Sequence, residues 1–238
     1  MIINIPHSSI VIPDTSNYSV DVDLDQEINR VTDWYSKELF SHEKYYSLVF
    51  PYSRLYCDVE RFEDDALNLV GQGIYYTKTL DGRDLRKNDP IEHEKVMKLY
   101  KKHHLELTEY VNEHIRYFDK ITIIDAHTYS DEQASIYGGY STPDFCIGVD
   151  TFHTPDELVL EVCKYLSDNG FSYAINEPFV GTIIPTYFYK KNSDVQSIML
   201  EVNKRLYLTD DYKKSENFNN LKSHISVLLT KIKDITLS

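Results

Sequence analysis

Ile121-Thr122-Ile123-Ile124-Asp125-Ala126-His127-Thr128 is the stretch on which the fold turns. Four β-prone residues run straight into an acid and a histidine, the pattern of a buried strand that delivers polar groups at its carboxyl end. In open α/β sheets ligands bind outside that end. An ordinary strand whose exit meets water would look the same locally, so the weight falls on where similar strand ends occur.

They occur repeatedly. Residues 2–5 form a short strand stopped by Pro6, with His7 and Ser8 at its edge. Residues 46–50 and 54–59 are strand candidates, the second ending in Asp58-Val59-Glu60-Arg61. Residues 145–149, 173–175 and 197–202 complete the set, and the last holds one carboxylate, Glu201, inside Ile198-Met199-Leu200-Glu201-Val202. Between them lie helical repeats: residues 24–40 with Ile28, Val31, Tyr35 and Leu39; residues 90–118 opened by Pro90; residues 155–167; and an amphipathic tail over 215–232. Residues 63–89 and 128–143 read as long glycine-containing loops, and residues 178–185 as a loop framed by two prolines. Strands alternating with helices predict an α/β fold with a mixed, mostly parallel sheet flanked by helices.

The 238 residues contain no Gly/Pro/Ser-rich linker, so a single domain over 1–238 is expected. Lys and Arg number 25 against 38 Asp and Glu, a formal net charge of −13, which argues against nucleic acid or an anionic membrane as partner and suits a small substrate or a metal cation. Three cysteines without a C-x-x-C signal neither a disulfide framework nor a structural zinc site, and fit a reducing compartment. With no signal-peptide pattern and no run of ~18 apolar residues, a soluble cytoplasmic protein is the expectation. The 20 tyrosines lack a basic lattice and read as half-buried wall residues.

A zinc hydrolase needs three N/O ligands, an open position and a carboxylate to take a proton from water. His7 and His127, both at carboxyl ends of predicted strands, can supply two ligands. Asp33, one helix after His7, is the candidate third, its rival role being a helix cap. Asp125, two residues before His127 and on the same side of the strand, can orient the imidazole. Glu201 is costly to bury as an ion, so its pKa should rise, which suits a general base; alternatively it pairs with Lys204 or Arg205. Arg61 has the planar fork for a substrate carboxylate, unless it is a surface ion pair, and Arg54 stands nearby in sequence. His103 and Glu106 show a His-x-x-Glu spacing but lie mid-helix among lysines and read as a decoy, with His104 able to reach the site as a polar wall residue.

Seven segments, in order, carry a family resemblance: Ile5-Pro6-His7-Ser8-Ser9, Thr32-Asp33-Trp34, residues 53–61, Asp125-Ala126-His127-Thr128, residues 143–148, Gly181-Thr182-Ile183-Ile184-Pro185 and residues 201–207. Together they resemble the N-formylglutamate amidohydrolase family over residues 3–210. The resemblance implies a phosphorylase/hydrolase-like fold, related to zinc carboxypeptidases and aspartoacylase, and zinc-dependent cleavage of an N-acyl amide. It implies metal on His7, Asp33 and His127, Glu201 as general base and acid, and Arg61 on a substrate carboxylate. Two segments depart from the family pattern. Its usual Asp-Leu-Asn-Arg run is here Asp58-Val59-Glu60-Arg61, and its Ile-Thr-Arg segment is Ile183-Ile184-Pro185-Thr186. A carboxypeptidase-like or cell-wall peptide amidase activity, or a non-catalytic binding protein on the same scaffold, are the competing expectations.

Overall fold

The computed structural model describes residues 1–236. Its centre is β3 (Ile121–Tyr129), every residue of which is buried. It pairs in parallel with β1 (Ile2–Ile5) on one side and β6 (Val195–Asn203) on the other, and β1 pairs in parallel with β2 (Tyr46–Val49). Two more strands, β4 (Phe145–Gly148) and β5 (Tyr173–Ile175), extend the sheet beyond β6, giving the order β2-β1-β3-β6-β4-β5. β4 runs antiparallel to β6, so the sheet is mixed at that junction.

The apolar residues of β1, β3 and β6 divide between two faces, as the two-residue period of a strand requires. Ile3, Ile5, Ile124, Ala126, Ile198, Leu200 and Val202 pack under α2 (Ser36–Leu39), α5 (Asp156–Asp168) and α6 (Phe218–Thr236). Ile2, Ile121, Ile123 and Val195 face the other way, against Leu107 and Val111 of α3 (Pro90–Tyr117) and Ile183, Ile184 and Phe188. On this second face the alternation changes chemistry part-way up the sheet: after Ile121 and Ile123 come Asp125 and His127, and after Val195 and Ser197 come Met199 and Glu201.

The long helix begins where expected because Asp89 caps it, accepting from the amides of Ile91 and Glu92, and Pro90 fills the first turn. Three expectations are corrected. Residues 54–59 are turns, because the Ser53 carbonyl accepts from the amides of Tyr56 and Cys57 and closes the chain on itself. Residues 24–40 form two helices: α1 (Leu24–Val31) stops where the Thr32 hydroxyl bonds back to the Ile28 carbonyl, and Tyr35, at φ 59°, turns the chain into α2. Residues 128–143 include α4 (Asp131–Ile136), started by a reciprocal cap between Ser130 and Gln133.

The excursion over 63–89 is pinned by Arg86, which lies 3.6 Å above the Tyr75 ring and donates to the carbonyls of Tyr56 and Tyr76. No helix among the described residues is long and apolar enough to cross a membrane.

Candidate active site

Each strand end places one group. His7 follows the proline that stops β1, and the Asp33 amide donates to the His7 carbonyl at 3.0 Å, so the break between α1 and α2 is tied directly to the β1 exit. This brings Asp33 Oδ2 to 3.2 Å from His127 Nδ1 and 3.8 Å from His7 Nδ1. Glu201 is the cross-strand partner of His127 in the β3–β6 register, on the same face. All four side chains are buried: His7 2% exposed, Asp33 1%, His127 5% and Glu201 8%.

The far nitrogen of each histidine meets a second carboxylate. His7 Nε2 donates to Asp58 Oδ1 at 2.9 Å, and His127 Nε2 donates to Asp125 Oδ1 at 3.1 Å. Burial and the neighbouring Arg54 charge push the His7 pKa down to about 4, so the ring is neutral. Its single proton sits on Nε2 toward Asp58, leaving the Nδ1 lone pair facing Asp33. That nitrogen is buried and has no hydrogen-bond partner. Burial alone would lower the His127 pKa, but Asp125, Asp33 and Glu201 outweigh it and hold the ring protonated.

The donor set fits a divalent cation. Ligand atoms from His7, Asp33 and His127 all lie within 4.8 Å of one another, and four ligands at about 2.0–2.1 Å from zinc stand roughly 3.3 Å apart. The lone pair of His7 already points inward, and the Nδ1 proton of His127 lies toward Asp33, where a cation would compete with it. Both rings are held from behind by carboxylates, the usual support of a metal-bound histidine. Glu60, Asp125 and His127 form a second cluster, but the Asn4 amide already occupies two of its carboxylates, at 2.7 Å to Glu60 and 3.2 Å to Asp125.

A cavity of about 420 Å³ opens above these groups, lined by His7, Arg54, Glu60, Arg61, Asp125, His127 and Glu201 among others, with Phe179 and Thr182 from the loop after β5. A model of the N-formylglutamate amidohydrolase family matches residues 1–208. The chain belongs to this family. It is therefore a hydrolase of C–N bonds by family membership. No curated protein matches it significantly. The fold is similar to that of the N-formylglutamate amidohydrolase from Ralstonia eutropha JMP134, with a TM-score of 0.85 over 99% of this chain and 93% of that one at 18% identity. A gene product from Agrobacterium tumefaciens is also similar, with a TM-score of 0.67 over 98% of this chain and 91% of that one at 17% identity.

The N-formylglutamate amidohydrolase fold brings His7, Asp33, His127, Asp125 and Glu201 into one cluster, with Arg54 and Arg61 on its wall. Asp33 is not the cap of α2, whose N-cap position is Tyr35. Glu201 forms no ion pair with Lys204 or Arg205: Lys204 donates to Gln133 Oε1 at 2.9 Å and Arg205 binds Asp131 and Asp144. Instead Glu201 Oε2 is buried without a hydrogen-bond partner, and burial pushes its carboxyl up to about 7. Arg54 grips Asp58 Oδ2 through Nε at 3.2 Å and Nη2 at 2.7 Å.

His104 does not line the cavity; its Nε2 donates to the Val59 carbonyl at 2.8 Å and so steadies the loop carrying Glu60. The adjacent His103 lies closer to the chemistry, its Nε2 donating to Asn4 Oδ1 at 3.1 Å. Sequence reasoning passed over Asn4 and Asp58. Asn4 had a visible signal, an amide set between isoleucines in Ile2-Ile3-Asn4-Ile5, the same kind of anomaly that exposes Glu201. Asp58 was hidden by the reading of 54–59 as a strand, which gives no reason for its carboxylate to turn back toward His7.

Proposed function

We propose that this chain is a metal-dependent amidohydrolase, a single catalytic domain that cleaves the acyl C–N bond of an N-acyl amino acid. The observation that carries this reading is the pairing, across the β3–β6 register, of the His7–Asp33–His127 donor set with the unpartnered Glu201 carboxylate. His7, Asp33 and His127 would hold the metal, and an all N/O set of this kind suits zinc. When bound, the metal supplies Lewis-acid chemistry, acidifying a water and polarising the scissile carbonyl.

The remaining steps belong to side chains of this chain. Glu201, ionised above about pH 7, takes a proton from the attacking water and returns it to the departing amine, so the net reaction is amide plus water to carboxylate plus amine. Asp58 and Asp125 keep the two imidazoles oriented. Arg61, whose Nε is buried without a hydrogen-bond partner, receives the carboxylate of the amino-acid part. The name of the matched family, N-formylglutamate amidohydrolase, supports formyl as the acyl group.

Elemental analysis of gently purified protein, coupled to amine release from a panel of N-formyl and N-acetyl amino acids and short peptides, tests the reading. Stoichiometric zinc and hydrolysis that stops on chelation are expected. Hydrolysis indifferent to metal, or a loaded protein that cleaves none of the panel, would overturn it.

A further inference from the structure

N-formylglutamate carries two carboxylates, and a carboxylate leaves water only at a large cost unless a cation meets it. The cavity wall offers two guanidiniums, Arg54 and Arg61. Both lean on one buried carboxylate: Arg54 bonds Asp58 Oδ2 twice, and Arg61 Nε stands 3.5 Å from the same oxygen. Two positive charges against one negative leave a single positive charge on that wall, with the neutral His7 ring adding none. This balances one substrate carboxylate.

Among the described residues, the remaining lining group able to carry positive charge is His127, and Asp33 and Asp125 already hold its two ring nitrogens. Lys204 is buried behind the cavity on Gln133, and Arg205 is spent on Asp131 and Asp144. Charge from a metal would be met at once by Asp33, with Asp125 and Glu201 beside it. The rest of the lining carries no positive charge: Asp150 is an acid, Glu60 a mostly buried carboxyl, Phe179 and Val180 are apolar, and Tyr137 and Thr182 are neutral hydroxyls. A second substrate carboxylate would therefore exchange its water for neutral hydroxyl and amide groups with no cation to meet its charge, and near Asp150 it would also be repelled.

We infer that the site, given the reading under Proposed function, takes an N-acyl amino acid with one carboxylate and an uncharged side chain, and discriminates against N-acylglutamate. Glutamine is the decisive comparison because it differs from glutamate by one amide and almost nothing in size. Zinc-loaded protein is assayed with N-formylglutamine and N-formylglutamate for kcat/KM, and calorimetry measures the Kd of both on the E201Q variant, where turnover is suppressed.

The glutamine compound should be favoured on the order of 10- to 100-fold in both measurements. D150N, which removes one acid from the wall, should narrow that ratio within a single variant, whatever its effect on overall activity. Equal or better binding of N-formylglutamate, or failure of both compounds to bind, overturns the inference. Selective binding of N-formylglutamine without turnover in the unsubstituted enzyme upholds the inference and sinks the catalytic reading instead.

Discussion

A carboxylate among Ile198, Met199, Leu200 and Val202 is tolerated only with a partner or a proton. Glu201 Oε2 has no partner, and burial raises the pKa to about 7. A general base works only when ionised, so kcat/KM should rise with pH through about 7 and level off above it. E201Q should lower kcat by about 10²- to 10⁴-fold while the circular dichroism stays that of the unsubstituted protein; a folded variant of full activity would remove Glu201 from the mechanism. His7 raises the complementary case of a ligand readied from behind. D58N replaces an acceptor-only carboxylate with an amide that can present a donor to Nε2, which weakens control over which ring nitrogen is free. Metal affinity measured by chelator competition should fall by about 10- to 100-fold, and an unchanged affinity would leave Asp58 with a packing role alone.

Elements converge on this site through close backbone approaches as well as through side chains. Gly148 ends β4 directly beneath the loop that carries Phe179 and Val180 over the cavity. A Cβ at this position would lie 2.0 Å from the Gly181 carbonyl oxygen and 2.9 Å from Met199 Cβ, so strand and loop cannot both stay in place. G148A should cost about 1–3 kcal/mol in chemical denaturation and raise KM as the loop is displaced; unaltered stability and KM would mean that the loop can move without consequence. The break between α1 and α2 works through the opposite device, a backbone hydrogen bond from Asp33 to His7 that brings a carboxylate to a strand exit. A continuous helix, as the 3.6-residue repeat of Ile28, Val31, Tyr35 and Leu39 suggests, could not deliver it there.

For the molecule as a whole, a metal held by β1, β3 and the α1–α2 break would join segments far apart in sequence, and its binding should add to stability. At a hundredfold excess over Kd, zinc should contribute about 2.7 kcal/mol, a rise of roughly 5–10 °C in Tm; calorimetric scans with and without chelator read it, and coincident transitions would argue against tight binding. Whereas the turns over 54–59, the break between α1 and α2, and α4 were not, the strands β1 to β6, the long helix α3, the acidic balance, and the anomalous residues His7, Asp33, His127 and Glu201 were legible in the chain itself. They follow from local periodicity and from the cost of polar groups in apolar runs, both of which act over a few residues. Which atoms meet was decided only by tertiary structure. Asp58 reaches His7 across 51 positions, Asn4 reaches Asp125 across 121, and β4 reverses direction beside β6. Contacts over such separations are set by how the sheet closes on its neighbours, and no local pattern encodes them.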